Sequence, residues 1–136
     1  MATVRLEFTP EPAHVRTARL VGVAVARRAG VPDDQLDEVR LAIGEACARA
    51  VARHQRVGLR DVVAVAFTDG DRYVVQVWDH AGDEEQITDE EQLTVDVSAS
   101  LLQAIVKDLQ VRPLEGGPGT EVQMVWPVRR ASRLGR

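Results

Sequence analysis

The sequence has 136 residues, of which 45% are hydrophobic and 28% charged, and this length and composition are typical of one globular domain rather than a disordered segment. Its 17 Lys and Arg residues against 21 Asp and Glu residues give a formal net charge of -4, which disfavours direct nucleic-acid binding through phosphate neutralisation. One cysteine excludes an intrachain disulfide, and the sequence lacks both a secretory leader pattern and any run of about 18 apolar residues, so we expect a cytoplasmic protein without membrane contact.

The first thirty residues predict a strand followed by a helix. Apolar and polar residues alternate from Thr3 to Phe8, which is typical of a strand with one buried face. Apolar residues then recur every three or four positions from His14 to Ala29, which predicts an amphipathic helix. Gly30 is placed to end that helix.

A second helix is predicted from about Val31-Pro32-Asp33-Asp34 to His54, because proline and carboxylates favour a first helical turn. Its apolar residues form a stripe: Leu36, Val39, Ile43, Ala46, Cys47 and Ala50. A second strip, Leu41, Ala48 and Ala52, lies on nearly the opposite side, so we expect this helix to be covered on two sides. The position of Cys47 on the stripe favours a buried, inert thiol over a nucleophile.

The middle of the chain predicts a hairpin and then a loop. Two valine-rich runs, Asp61 to Thr68 and Arg72 to Trp78, flank Asp69-Gly70-Asp71, which favours a tight turn. The residues from Asp79 to Asp96 are polar and acidic without periodicity, and they predict a long loop that is the first place to look for a site.

The last part of the chain predicts one more helix and two strands. The predicted elements are a helix from Val97 to Lys107, a strand from Leu109 to Arg112, a turn at Gly116-Gly117-Pro118-Gly119 and a strand from Thr120 to Val128. The element order indicates an α+β two-layer sandwich with the helices on one sheet face. We expect one domain over residues 1–128 and a frayed basic tail over 129–136.

The segment LAIGEACARAV, from Leu41 to Val51, resembles the N-box helix of the anti-sigma factor serine kinases, which belong to the GHKL (histidine-kinase-like) ATPase superfamily. Three further segments resemble family motifs in the same order: Val77 to Gly82, Leu101 to Val111, and Gly119 to Val122. The resemblance implies a Bergerat-type sandwich with a mixed, mostly antiparallel sheet. It also implies a protein that sequesters an RNA polymerase sigma factor and is released by an antagonist of the STAS type.

Working members of that family phosphorylate the antagonist on serine with ATP and magnesium, and the resemblance assigns candidate residues to this chemistry. Glu45 matches the N-box glutamate that acts as a base or orients water. Asp79 matches the aspartate that binds adenine, and Gly82 and Thr120 complete the nucleotide contacts if a nucleotide binds.

The sequence departs from the family where metal and phosphate would bind. Arg49 stands at the position of the magnesium-holding asparagine, and a guanidinium has no acceptor for a cation. The stretch Asp96-Val97-Ser98 lacks the glycines that let backbone amides approach phosphates. Eight acidic residues and no Lys or Arg lie between Arg72 and Lys107, so a triphosphate would meet like charge there. We therefore expect no cofactor and no productive ATP chemistry.

Plain structural explanations exist for the same residues. Glu45 and Arg49 are four apart on a helix and could form an ordinary exposed ion pair. Asp79 could simply lead from a strand into a turn. The three histidines, His14, His54 and His80, share no metal-ligand spacing, so we expect surface positions and no metal.

The leading hypothesis is thus an anti-sigma regulatory protein that works by reversible protein binding, through the acidic loop or the small-residue strip. Two alternatives stay open: an active serine kinase with Glu45 as base, and a scaffold for another partner. The sequence leaves open whether the chain forms a homodimer.

Overall fold

The computed structural model describes residues 2–82, 97 and 99–129. The strands are β1 (Ala2–Phe8), β2 (Val63–Asp69), β3 (Arg72–Asp79), β4 (Asp108–Pro113) and β5 (Thr120–Pro127), and the long helices are α1 (Val15–Ala29) and α2 (Leu36–Arg56). Residues 99–105 are also helical. The predicted loop from 83 to 96, Ser98 of the predicted phosphate-binding stretch, and the tail from 130 onward lie outside the described residues.

The five strands form one sheet in the order β1-β2-β3-β5-β4, and each of the four pairings is antiparallel. The core lies between this sheet and the helices: alternate residues of β3, such as Val75 and Val77, are buried in the same hydrophobic cluster as Ile43 of α2. This confirms the predicted α+β sandwich, with no parallel pair among the described strands. No helix in the described ranges combines the length and hydropathy needed to cross a bilayer.

The observed helices match the predicted ones with small shifts at their ends, since α1 begins at Val15, α2 ends at Arg56 and the helix predicted to reach Lys107 ends at residue 105. Gly30 adopts φ 101°, a left-handed conformation that glycine tolerates, and its N–H bonds to carbonyls of the last turn of α1. Asp33–Gln35 form a 3-10 turn, so α2 begins at Leu36, later than the sequence predicts. Every residue of the predicted α2 stripe is buried, from Leu36 at one end to Ala50 at the other.

The prediction that α2 is covered on two sides was wrong for the described chain. Leu41 is 48% exposed, and Ala48 and Ala52 are exposed as well. The sheet covers one side of α2 and α1 packs along one flank, so the outer strip meets no described residue that would bury it.

Burial raises the pKa of the Cys47 thiol to about 12, and the Arg19 cation only partly opposes this. The thiolate is the reactive form, so Cys47 should be almost entirely unreactive near neutral pH. We expect a disulfide reagent to modify the native protein only at the rate of unfolding and to modify it at once in denaturant. Rapid stoichiometric labelling of the native protein would contradict this assignment.

Candidate functional site

The candidate site lies where the end of β3 and the start of β5 meet α2. Asp79 and Thr120 are paired across the two strands by register, although 41 positions separate them in the chain. From the helix layer, Arg49 reaches both strands, and Arg53, one turn later on α2, reaches Asp79 at the end of β3. The structure therefore brings together two of the predicted nucleotide contacts, Asp79 and Thr120, with two arginines.

Arg49 contacts both of these residues. Its Nη1 donates to Thr120 Oγ1 at 3.0 Å and to Asp79 Oδ2 at 3.4 Å. The Thr120 hydroxyl in turn donates to Asp79 Oδ2 at 2.5 Å. One guanidinium thus spans the end of β3 and the start of β5.

Arg53 contacts the other carboxylate oxygen. Its Nε donates to Asp79 Oδ1 at 3.2 Å, and its Nη2 donates to the Ala81 carbonyl at 2.9 Å. The Ala81 N–H also donates to Asp79 Oδ1, at 3.2 Å, which is the turn-forming contact expected of a strand-ending aspartate. Both oxygens of Asp79, a residue only 1% exposed, therefore have two donors each.

The cluster of Asp79, Thr120, Arg49 and Arg53, here called the Asp79 cluster, carries more positive than negative charge. Burial lowers the pKa of the Arg49 guanidinium; the neighbouring Arg53 cation lowers it further and Asp79 opposes both. An arginine nevertheless stays protonated in a protein, so Asp79 faces two permanent cations. Such a carboxylate is held as an ion-pair partner rather than kept free for a ligand.

A close backbone approach brings the turn before β5 against the end of β3. Gly119 has φ 122°, and a Cβ there would collide with the Asp79 carbonyl oxygen and lie 2.8 Å from His80 Cα. Gly82 is less constrained, since a Cβ there would meet only Pro118, at 3.6 Å. The geometry thus requires glycine at 119 and would accept a side chain at 82.

His54 is bonded to the backbone of His80, next to Asp79, and the prediction that it is a surface residue was wrong. It is fully buried, and its Nε2 accepts a hydrogen bond from the His80 N–H at 2.9 Å. A backbone amide can only donate, so Nδ1 carries the ring proton and donates to the Asp61 carbonyl at 2.9 Å. The ring therefore joins the end of α2 to the residues just before β2 and just after β3.

Glu45 does not join the Asp79 cluster. It forms no ion pair with any residue that the structure describes, so the expected local pair with Arg49 is absent; Arg49 instead reaches Asp79, 30 positions away. Glu45 is half-buried and lines a groove of about 790 Å³ on the outside of the helix layer. Glu45, the candidate base, and Asp79, the candidate adenine contact, therefore lie in different parts of the structure.

That outer groove runs between the start of α1 and the outer strip of α2. Leu41, Ala48 and Ala52 line it, together with Arg16 and Arg19 of α1. Neither arginine forms an ion pair or hydrogen bond with a described residue. The groove is also lined by Glu45 and by the ion pair of Asp37 and Arg40, so it combines exposed apolar side chains with three arginines and two carboxylates.

The sequence analysis did not identify Arg53 as a residue of the site, and it did not identify the structural role of His54. Nothing in the sequence singled out Arg53, because the burial of Asp79 is visible only in the structure and α2 carries four arginines, of which Arg49, Arg53 and Arg56 all lie about one turn apart. Within residues 2–82, 97 and 99–129 no group of His, Cys, Asp and Glu side chains could hold a metal ion.

Comparison with known proteins agrees with this architecture. The family model described as "Histidine kinase-like ATPase domain" matches residues 8–126. Among solved structures, the chain is similar to "The crystal structure of the RsbU and RsbW domains of Rv1364c from Mycobacterium tuberculosis", with TM-score 0.66 and 15% identity over 95% of this chain. The match spans 34% of that longer chain, and no curated protein matches. Because the family model covers nearly the whole chain and the fold agrees, the protein belongs to the histidine kinase-like ATPase domain family.

Proposed function

We propose that the protein is an anti-sigma regulator that sequesters an RNA polymerase sigma factor, is released by a STAS-type antagonist, and carries out no productive ATP chemistry. Family membership and the likeness to a structure that contains an RsbW domain support the partner-switching part of this proposal. The arrangement of the Asp79 cluster supports the part that excludes ATP chemistry.

The observation that carries the proposal is the position of the Arg49 guanidinium. It bonds to the side chains of Asp79 and Thr120, two of the three residues that the family resemblance assigns to nucleotide contacts. A purine that hydrogen-bonded to Asp79 would have to displace this guanidinium and leave a buried cation without its partner. That exchange costs several kcal/mol, because an unpaired charge in a partly dry site is poorly solvated.

Magnesium would be disfavoured at the same place. Arg49 and Arg53 are both cations within 3.4 Å of the carboxylate, and neither offers an oxygen to a metal. The obstruction of the purine contact and the exclusion of magnesium both support a protein that acts by binding other proteins rather than by ATP chemistry.

We expect the isolated protein not to bind magnesium ATP at physiological concentrations. The displaced guanidinium, the absence of glycine from the stretch Asp96-Val97-Ser98 and the acidic residues that precede it weaken binding separately. A summed loss of about 4 kcal/mol lowers the affinity roughly a thousandfold. Calorimetric titration measures this directly. A one-to-one isotherm with a dissociation constant below about 100 μM, or roughly -5.5 kcal/mol, would overturn the proposal and favour the kinase alternative.

Arg49→Asn alone should not restore ATP binding. The substitution supplies the family's asparagine but leaves Arg53 on Asp79 and leaves the phosphate-binding deficits unchanged. The same calorimetric titration applies, with circular dichroism as the control for folding. Tight magnesium-dependent binding by this variant would show that one side chain, rather than the whole site, blocks the nucleotide.

The proposed sigma-factor partner is tested by affinity capture with this protein from the native host, followed by mass spectrometry of the bound proteins. A sigma factor among the captured proteins, reconstituted afterwards with purified components, would support the proposal. Capture of other proteins with no sigma factor would favour the scaffold alternative. Transfer of labelled phosphate to a serine of a STAS-type partner would favour the kinase.

We assign the sigma factor to the outer groove, through a helix that offers apolar and acidic side chains to Leu41 and to Arg16 and Arg19. Leu41→Glu should weaken sigma binding by at least about tenfold, since it places a charge in an apolar contact that desolvates. Leu20→Glu is the matched control, because Leu20 is 61% exposed on α1 but does not line the groove. Equal binding by the two variants would reject this assignment.

A further inference from the structure

The Asp79 cluster carries more positive charge than its carboxylate balances. Arg49 and Arg53 pair with Asp79 at 3.4 Å and 3.2 Å, and no other carboxylate in the described part of the chain lies within ion-pair distance of either guanidinium. Their remaining described acceptors are the Thr120 hydroxyl and the Ala81 carbonyl, which are neutral. Two permanent cations therefore share one anion.

This surplus charge lies where water screens it poorly. The side chains of Arg49 and Arg53 are only 17% and 19% exposed. Burial is the main cause that lowers the pKa of Arg49; the Arg53 and Arg56 cations lower it further, and Asp79 opposes them. Charges interact more strongly in a partly dry site than in water. A second anion would therefore be attracted to the cluster.

Both guanidiniums keep N–H groups that no described residue accepts. Arg49 uses Nη1 for its bonds to Asp79 and Thr120, which leaves Nε and Nη2. Arg53 uses Nε and Nη2, which leaves Nη1. A guanidinium has five N–H donors in a planar fork that matches the oxygen atoms of an oxyanion. The cluster thus offers donors as well as positive charge.

Both arginines are also held in position before any ligand arrives. Arg49 bonds to side chains of both β3 and β5, and Arg53 bonds to Asp79 and to the Ala81 carbonyl. Immobilising a long side chain reduces the affinity for a ligand, and here the protein itself has already fixed both side chains. An anion would therefore bind to donors that are already in place.

We propose that the Asp79 cluster binds one small tetrahedral oxyanion, of the class of inorganic phosphate, through Arg49 and Arg53 and without a metal ion. A dianion is attracted to two neighbouring cations more strongly than chloride or a carboxylate, because its charge is larger. Asp79 repels such an anion, but donors already cover both of its oxygen atoms and the two cations outweigh its charge. The arginines supply the positive charge directly, so magnesium is not needed.

The proposed ligand is a free oxyanion rather than the phosphate group of a nucleotide. A nucleotide that placed its base on Asp79 would have to displace Arg49 from that carboxylate. A free oxyanion binds to the N–H groups that the guanidiniums have left, so the bonds to Asp79 and Thr120 stay intact. Free phosphate and magnesium ATP therefore have opposite expected results with the same protein.

The melting temperature of the full chain tests the proposal, measured as potassium phosphate replaces potassium chloride at constant ionic strength in the presence of EDTA. A ligand of the folded state raises this temperature with its concentration. We expect a dissociation constant of about 1 mM or below, and Arg49→Gln and Arg53→Gln should each raise it at least about tenfold. Arg27→Gln combined with Arg28→Gln is the matched control and should leave it unchanged, because these two exposed side chains contact no described partner.

Asp79→Asn gives a change of the opposite sign and keeps the test decisive if an arginine variant does not fold. It removes the one negative charge of the cluster at nearly constant size, so phosphate should bind at least about tenfold more tightly than to the wild type. Asp37→Asn is its matched control, since Asp37 also pairs with an arginine, at 3.2 Å, but is 96% exposed. This control should bind phosphate like the wild type.

Phosphate also stabilises folded proteins in general, because it is excluded from their surfaces, but that effect is the same in all these variants. An equal rise of melting temperature in the wild type, Arg49→Gln and Asp79→Asn would therefore overturn the proposal. A requirement for magnesium would overturn it as well. ATP in EDTA is the last arm of the test, and binding more than about tenfold tighter than that of phosphate would show a nucleotide site instead.

Discussion

Asp79→Ala is expected to lower the free energy of unfolding by about 3 kcal/mol, because it leaves two nearly buried arginines without a counter-charge. The side chains of Arg49 and Arg53 are only 17% and 19% exposed, so water cannot fully replace the carboxylate. The variant also removes the acceptors of the Thr120 hydroxyl and the Ala81 amide. Urea denaturation with linear extrapolation gives the change.

Asp37→Ala is the control for Asp79→Ala. Asp37 also pairs with an arginine, Arg40, at 3.2 Å, but its side chain is 96% exposed. Exposed pairs contribute little, so this variant should change the free energy of unfolding by less than about 0.5 kcal/mol. If the two alanine variants unfolded at the same urea concentration, the Asp79 cluster would contribute no more to the free energy of unfolding than an exposed ion pair does.

Gly119→Ala should destabilise the protein by a similar amount, about 3 kcal/mol. The backbone at this position has φ 122°, a conformation that costs any residue with a Cβ about 1–2 kcal/mol. The new methyl group would also collide with the backbone of Asp79, which is fixed by β3 pairing and cannot move as a flexible side chain would. The end of β3 would have to separate from the start of β5, which also loosens the Asp79 cluster.

Gly117→Ala, two positions earlier in the same turn, is the matched control for Gly119→Ala. A Cβ at 117 meets no atom within 4 Å, and its φ is not in the left-handed range. Thermal unfolding of the two variants should therefore differ by several degrees. Equal melting temperatures would mean that the approach of residue 119 to Asp79 is not required for stability.

The elements of this fold were predictable because their signals are local. Alternation predicted β1, and two valine-rich runs around an Asp-Gly turn predicted the β2-β3 hairpin. The three- and four-residue spacing of apolar positions predicted α1 and the buried side of α2. Each of these patterns is set by the geometry of one element and the presence of one buried face.

The contacts of the candidate site were not predictable in the same way. Arg49 was paired in sequence with Glu45, four positions away, but its partners are Asp79 and Thr120, which are brought to it by sheet register. His54 is a polar residue and was expected at the surface. It can be buried because the Asp61 carbonyl and the His80 N–H form hydrogen bonds with both nitrogen atoms of its ring. A single sequence carries no signal for such long-range partners. The exposure of the outer strip of α2, formed by Leu41, Ala48 and Ala52, was missed for a related reason. Periodicity shows that a helix face is apolar, but it does not show whether another element covers that face.

The position of β5 in the sheet has a consequence for synthesis of the protein. β5 is the last strand along the chain but lies between β3 and β4, and β4 pairs with no other described strand. A chain emerging from the ribosome can form the β2-β3 hairpin early, but β4 must wait for residues 120–127 before it has a partner. Thr120 belongs to the same late strand, so Asp79 and Arg49 gain their shared hydroxyl only at that stage. We therefore expect nascent chains that stop before β5 to be targets for chaperones and proteases.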